Sequence, residues 1–153
     1  MARLEDIPEP TRTAARDIPC PAFDTTPFVA GPSLSERRVA LVSSAALIHR
    51  GDKPFDFGSG DYRAVPGAWD NADILMSHVS INHDRNGYRR DLNVIYPIDR
   101  LRELAEEGVI GSVADTHFSV MGSTDPAAMV ASADGIALAL HADRVNAVVL
   151  CPV

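Results

Sequence analysis

The sequence predicts an α/β domain: a Rossmann-like parallel sheet flanked by helices, with an irregular proline-rich N-terminal arm. Three observations carry that expectation. Short runs rich in Val, Leu and Ile alternate with helical segments or long crossovers. Each run ends on polar residues. Proline crowds the first 37 positions and thins out afterwards.

The arm, residues 1–37, carries Pro8, Pro10, Pro19, Pro21, Pro27 and Pro32, a density that forbids a long helix. It reads as a segment wrapped on the domain or on a partner, or as a partly disordered tail. The α/β domain then occupies residues 38–153. "RRVALVSS" is the first strand and exits at Ser43 and Ser44. "LIHRGDKPFDFGSGDYRAVP" reads as a long functional loop without regular structure. "ADILMSHVS" is the second strand, exiting at Ser77 and His78, and "INHDRNGYRRDLNVIYP" is a second polar stretch.

A helix follows in "PIDRLRELAEEGVIG", with Pro97 at its start, Asp99 in its first turn and Ile98, Leu101, Leu104 and Ala105 on one face. Gly108 is placed to stop it in the left-handed conformation. "DTHFSVMGS" is the third strand and exits at Gly122 and Ser123. The next helix spans about Pro126 to Ala142, with Gly135 as a point of interruption. The last strand, Val145 to Leu150, is a nearly continuous apolar run of the kind buried on both faces.

Composition narrows the function. The net charge of −7 excludes a basic nucleic-acid surface. No apolar run approaches the roughly 20 residues of a membrane span, and the N-terminus lacks the apolar stretch of a secretory signal. Cys20 and Cys151 make neither a disulfide framework nor a zinc set, so a cytoplasmic protein with free thiols is expected.

Catalysis in such a fold belongs at the carboxyl edge of the strands, where the exits and the two long loops converge. Three chemistries compete there. "GSG" in the first loop lacks the spacing of a phosphate-binding motif and reads as a turn. His78 and His83, with Asp84 adjacent and Asp91 or His117 as a third ligand, have the residue types of a metal site but no signature spacing, and no metal is expected. Cys151, at a strand exit, is a weak nucleophile candidate, because no helix terminus follows to lower its pKa.

Four segments carry a resemblance: "VALVSSAALIHRGDKPFDFGSGDYRAVP", "SHVSINHDRNGYRRDLNVIYPIDRLRELAEEGVIG", "THFSVMGS" and "NAVVLCPV". In this order they resemble the selenoprotein B family of glycine, sarcosine, betaine and D-proline reductases, from about Arg38 to Val153. The resemblance implies an oxidoreductase in which a selenol or thiol cleaves the C–N bond of a small amine or amino-acid derivative reductively. It implies that a thiol or thioredoxin-type donor restores the selenol, and that further reductase subunits take part. Family members carry a selenocysteine, or a cysteine in its place, just after the strand resembling "NAVVLCPV". On that reading the chain is truncated at the residue before its nucleophile and inactive as written. Selenocysteine is then expected in the full-length product, with no bound cofactor. Ser43, Ser44, His49, His78, His83, Asp84, Asp91, Gly122 and Ser123 are the candidate substrate-binding residues. The rival expectation is a non-catalytic binding or assembly module that ends at Val153.

Overall fold

A computed structural model describes residues 3–17, 22, 24–80 and 85–153. In the N-terminal segment the described residues form a short helix α1 (Thr11–Arg16) and two 3-10 turns, Leu4–Asp6 and Leu34–Glu36. The core begins with β1 (Arg38–Ser43), whose Val39, Ala40 and Leu41 are buried.

β1 is the centre of the main sheet. On one side it pairs in parallel with β7 (Ala147–Cys151), from Val39↔Ala147 to Ser43↔Cys151. On the other side it pairs first with the short β5 (Ser112–Val113) and then with β6 (Thr116–Val120), both parallel. Beyond β6 lies β3 (Tyr62–Pro66), which runs antiparallel from Tyr62↔Val120 to Pro66↔Thr116. The sheet is therefore mixed, a correction to the all-parallel expectation.

Two further expectations are corrected. The supposed loop 47–66 contains β2 (Leu47–His49) as well as β3. The supposed second sheet strand is the three-residue β4 (Ile74–Met76), which leaves the main sheet and pairs antiparallel with β2. Leu47 and Ile74 are both buried, so the pair earns its apolar pattern by covering the sheet and not by joining it.

Helices cover both faces. The short α2 (Asn86–Arg90) precedes α3 (Ile98–Glu106), which buries Ile98 and Leu101 against Val39, Leu41 and Val65. Gly108 ends α3 at φ +71°, and the N–H of Val109 donates back to the Leu104 carbonyl at 2.9 Å, closing the helix as its sequence predicts. On the opposite face, a 3-10 turn over Pro126–Met129 leads into α4 (Val130–Ala142). α4 runs unbroken through Gly135, where a Cβ would approach the Tyr62 ring to 3.2 Å. The glycine permits close packing on β3 and does not interrupt the helix.

Buried polar side chains complete the backbone pairing. Between β5 and β6 the ladder lapses, and the N–H of Leu41 donates to His117 Nδ1 at 3.0 Å. Ser119 Oγ accepts from Leu47 N–H at 2.8 Å and donates to the Ser43 carbonyl at 2.9 Å. Ser119→Ala strands the Leu47 amide and is expected to cost about 1–3 kcal/mol. Urea unfolding should show a lower midpoint at unchanged slope; an unchanged midpoint would mean another group satisfies Leu47. Arg38 ties the start of β1 to the α4–β7 turn, reaching Asp143 Oδ1 at 2.5 Å and the Val113 carbonyl at 2.7 Å.

The last strand departs most from its sequence reading. Among the described residues β7 is an edge strand paired only with β1, and Val148, Val149 and Leu150 are exposed.

Candidate functional site at the carboxyl edge of the parallel strands

β1, β6 and β7 end together, and the hydrogen bonds between their exits build the site. Ser44 is its hub. Its N–H donates to the Cys151 carbonyl at 3.0 Å, its Oγ accepts from Val153 N–H at 2.8 Å, and its carbonyl accepts from Gly122 N–H at 3.0 Å. A Cβ on Gly122 would sit 2.8 Å from the Ser44 carbonyl oxygen and 2.9 Å from Ser44 Oγ, so glycine lets the β1 and β6 exits meet this closely. Ala45 and Met121 form a bridge beside them.

Ser43 lies one layer deeper. It is fully buried, its Oγ donating to the Ile95 carbonyl at 2.8 Å and accepting from Ala45 N–H at 3.2 Å. It therefore pins the loop ahead of α3 to the end of β1. Ser123 is exposed in the turn after Gly122, closed by Thr124 N–H to the Met121 carbonyl. Cys151 carries a free, half-buried thiol, and burial pushes its pKa up, which keeps it protonated at neutral pH.

The remaining candidates disperse. His78 is buried and follows Ser77, whose N–H donates to the Ala46 carbonyl, so this segment returns towards the same edge. Arg85 Nη2 holds the His78 and Ser80 carbonyls at 2.8 and 2.9 Å. His49 goes the other way: its ring meets that of Trp69 at a tilt, centroids 4.7 Å apart, and Trp69 follows the end of β3 beside the start of β6. Asp91 is exposed and caps the turn Leu92–Val94, accepting from the amide and side chain of Asn93, which lower its pKa. His83 and Asp84 lie outside the described residues. Among the described residues no three His, Cys, Asp or Glu side chains gather as a metal-ligand group.

Two buried groups lie beneath the site; the sequence offered His117 only as a possible third metal ligand and did not single out Tyr96. Tyr96 and His117 meet edge to face, ring centroids 5.6 Å apart. The Tyr96 hydroxyl and His117 Nε2 find no hydrogen-bond partner among the described residues. Because Nδ1 accepts from Leu41, the imidazole proton sits on Nε2. Burial lowers the His117 pKa to about 4, and burial raises that of the Tyr96 phenol. The signal for His117 was in "THFSV", where His117 and Ser119 place two polar side chains on one face of a strand. Nothing in the sequence marked Tyr96 as more than core.

Comparison with known proteins supplies the context. The model of the glycine/sarcosine/betaine reductase selenoprotein B family matches residues 14–153. The chain belongs to that family. It is 32% identical over 120 residues to D-proline reductase subunit gamma of Acetoanaerobium sticklandii, covering 76% of this chain and 49% of that one. It is 30% identical over 141 residues to glycine reductase complex component B subunit gamma of Carboxydothermus hydrogenoformans, covering 88% of this chain and 32% of that one. The sarcosine reductase complex component B subunit beta of Peptoclostridium acidaminophilum is 30% identical over 115 residues, with 70% and 26% coverage. The chain thus spans half or less of the length of these relatives. No solved structure matches. No helix among the described residues is long and apolar enough to cross a membrane.

Proposed function

We propose that this chain forms the strand-edge platform of a selenoprotein B-type reductase subunit, which reductively cleaves the C–N bond of a small amine or amino-acid derivative. The observation that carries this reading is the convergence of Ser44, Gly122 and the Cys151–Val153 segment at one edge of the sheet, in a chain of this family. A selenol or thiol placed after Val153 would supply the nucleophile. Ser44 Oγ, holding the Val153 amide, fixes the direction in which the backbone leaves β7. The protonated Cys151 thiol packs at the strand end and takes no part as nucleophile. A thiol or thioredoxin-type donor, further subunits of the complex and a cytoplasmic location belong to the same proposal.

The test uses the natural full-length polypeptide with its complex, assayed for reductive cleavage of glycine, sarcosine, betaine and D-proline with a dithiol donor. Ser44→Ala is expected to lower kcat by about 10–100-fold through misplacement of the nucleophile, with the fold retained. Cys151→Ala is expected to leave turnover within about 2-fold, because its packed, protonated thiol supplies no reacting atom. Abolished turnover in Cys151→Ala would make Cys151 the nucleophile, and unchanged turnover in Ser44→Ala would remove the edge from the mechanism. Absence of all turnover would favour a non-catalytic assembly module, which the exposed Leu138 and Leu150 would suit.

A further inference from the structure

An apolar strip stays open on the sheet face that carries α4. Val42 is in register with Phe118 on one side and with Leu150 on the other. Residues in register on neighbouring strands send their side chains to the same face. Phe118, Tyr62 and Ala64 share a cavity of about 490 Å³ with Ala139 and Ala142 of α4, so α4 covers the β3–β6 half of this face. Among the described residues the β7 half is bare: Leu150 is 72% exposed and Val148 41%. α4 is apolar nearly all round, with Ala131, Ala133 and Ala137 exposed as well as Ile136 buried, and a helix of that composition is normally covered on every side. Among the described residues the outer edge of β7 has no strand partner, which adds free backbone groups to the same region.

Chain handedness says what fits there. The connection from β6 through α4 to β7 crosses β1 and puts α4 on the Phe118 face. Parallel crossovers share one hand in about 98% of cases. One more crossover of that hand, stepping outward from β7, lays its helix on the same face, alongside α4 and over Val148 and Leu150. Neighbouring helices pack about 8–10 Å apart, which suits that placement. Relatives that match this chain over only 49% and 32% of their own length possess polypeptide to supply such a unit.

We propose that this strip seats one further helix–strand unit, an amphipathic helix packed beside α4 and a parallel strand added to the free edge of β7. The unit belongs to the polypeptide by which the longer relatives exceed this chain. The proposal concerns assembly and stands or falls independently of the nucleophile.

The first test needs only this chain. It should bind the apolar dye ANS, and the double variant Val148→Lys with Leu150→Lys should bind severalfold less at unchanged far-UV circular dichroism. In the second, the chain is fused to the part of the Acetoanaerobium sticklandii D-proline reductase subunit gamma that has no counterpart here. Dye binding should fall, and hydrogen exchange of the β7 amides should slow by at least about tenfold. Three results would overturn the proposal. One is no dye binding by the chain alone. Another is a dimer in sedimentation that Leu150→Lys dissociates, which would give the strip to a second copy. The third is a folded fusion in which the β7 amides exchange as fast as before.

Discussion

Replacing His117 by Phe is expected to remove most of the pH dependence of stability between pH 6.5 and pH 4. Burial holds the folded imidazole neutral down to about pH 4, against an ordinary value of 6.5. Between those values the unfolded chain binds a proton that the folded chain does not, so stability falls as pH falls. Over the full window the loss is about 3 kcal/mol, at 1.36 kcal/mol per unit. The carboxylates with lowered pKa, Asp56, Asp91, Asp99 and Asp143, lose any contribution only below their ordinary value of 3.8, so the two windows separate. His117→Phe also strands the Leu41 amide, at about 1–3 kcal/mol near neutral pH. His117→Asn, which offers an oxygen near the position of Nδ1, should flatten the pH profile while keeping that acceptor. Denaturant midpoints measured from pH 4 to pH 8 check both; a variant with the parent's slope would show that His117 is not the titrating group.

Gly60→Ala is the second substitution with a large expected effect. The first loop docks on the start of the α4 segment through its glycines and serines: Thr124 Oγ1 donates to the Ser59 carbonyl, and Ser132 Oγ donates to the Gly60 carbonyl at 2.6 Å. A Cβ at Gly60 would lie 2.1 Å from the carbonyl oxygen of Ala128, a backbone atom that cannot swing aside. The 3-10 turn must lift, at about 2–3 kcal/mol, or a melting temperature lower by about 5–10 °C. Gly58→Ala is the control. It has open space around it and φ of +70°, so only the left-handed backbone is penalised, at about 1 kcal/mol. Equal losses at the two positions would mean that the close contact at Gly60 does not govern stability.

The sequence carried the local structure well where one physical signal dominated. α3 was legible because the spacing of Ile98, Leu101, Leu104 and Ala105, the early Asp99 and the left-handed Gly108 all agree. The strand exits at Ser43–Ser44, Gly122 and Cys151 were legible because each closes an apolar run. The partition of strands between sheets was not. Ile74–Met76 has the composition of a sheet strand, but its partner Leu47–His49 is only three residues long and lay hidden in a loop-like stretch. The apolar run of β7 misled in a different way. Val148 and Leu150 have the composition of a buried strand, and no local pattern says that this side of the sheet lies open. In the candidate site, the serines were found through position alone. That Ser43 is a buried tie to Ile95, while Ser44 holds Val153, depends on contacts 52 and 109 residues apart in sequence.

The central claim is that a nucleophile follows Val153 at the edge built by Ser44 and Gly122. Mass spectrometry of the natural polypeptide, purified from its host, tests it most directly. Trypsin cuts after Arg144, so the peptide that begins at Val145 reads through Cys151 and Val153 into whatever follows. The account predicts that this peptide continues past Val153 and contains selenocysteine or cysteine within a few residues. A peptide that stops at Val153, or continues with neither residue, would contradict it.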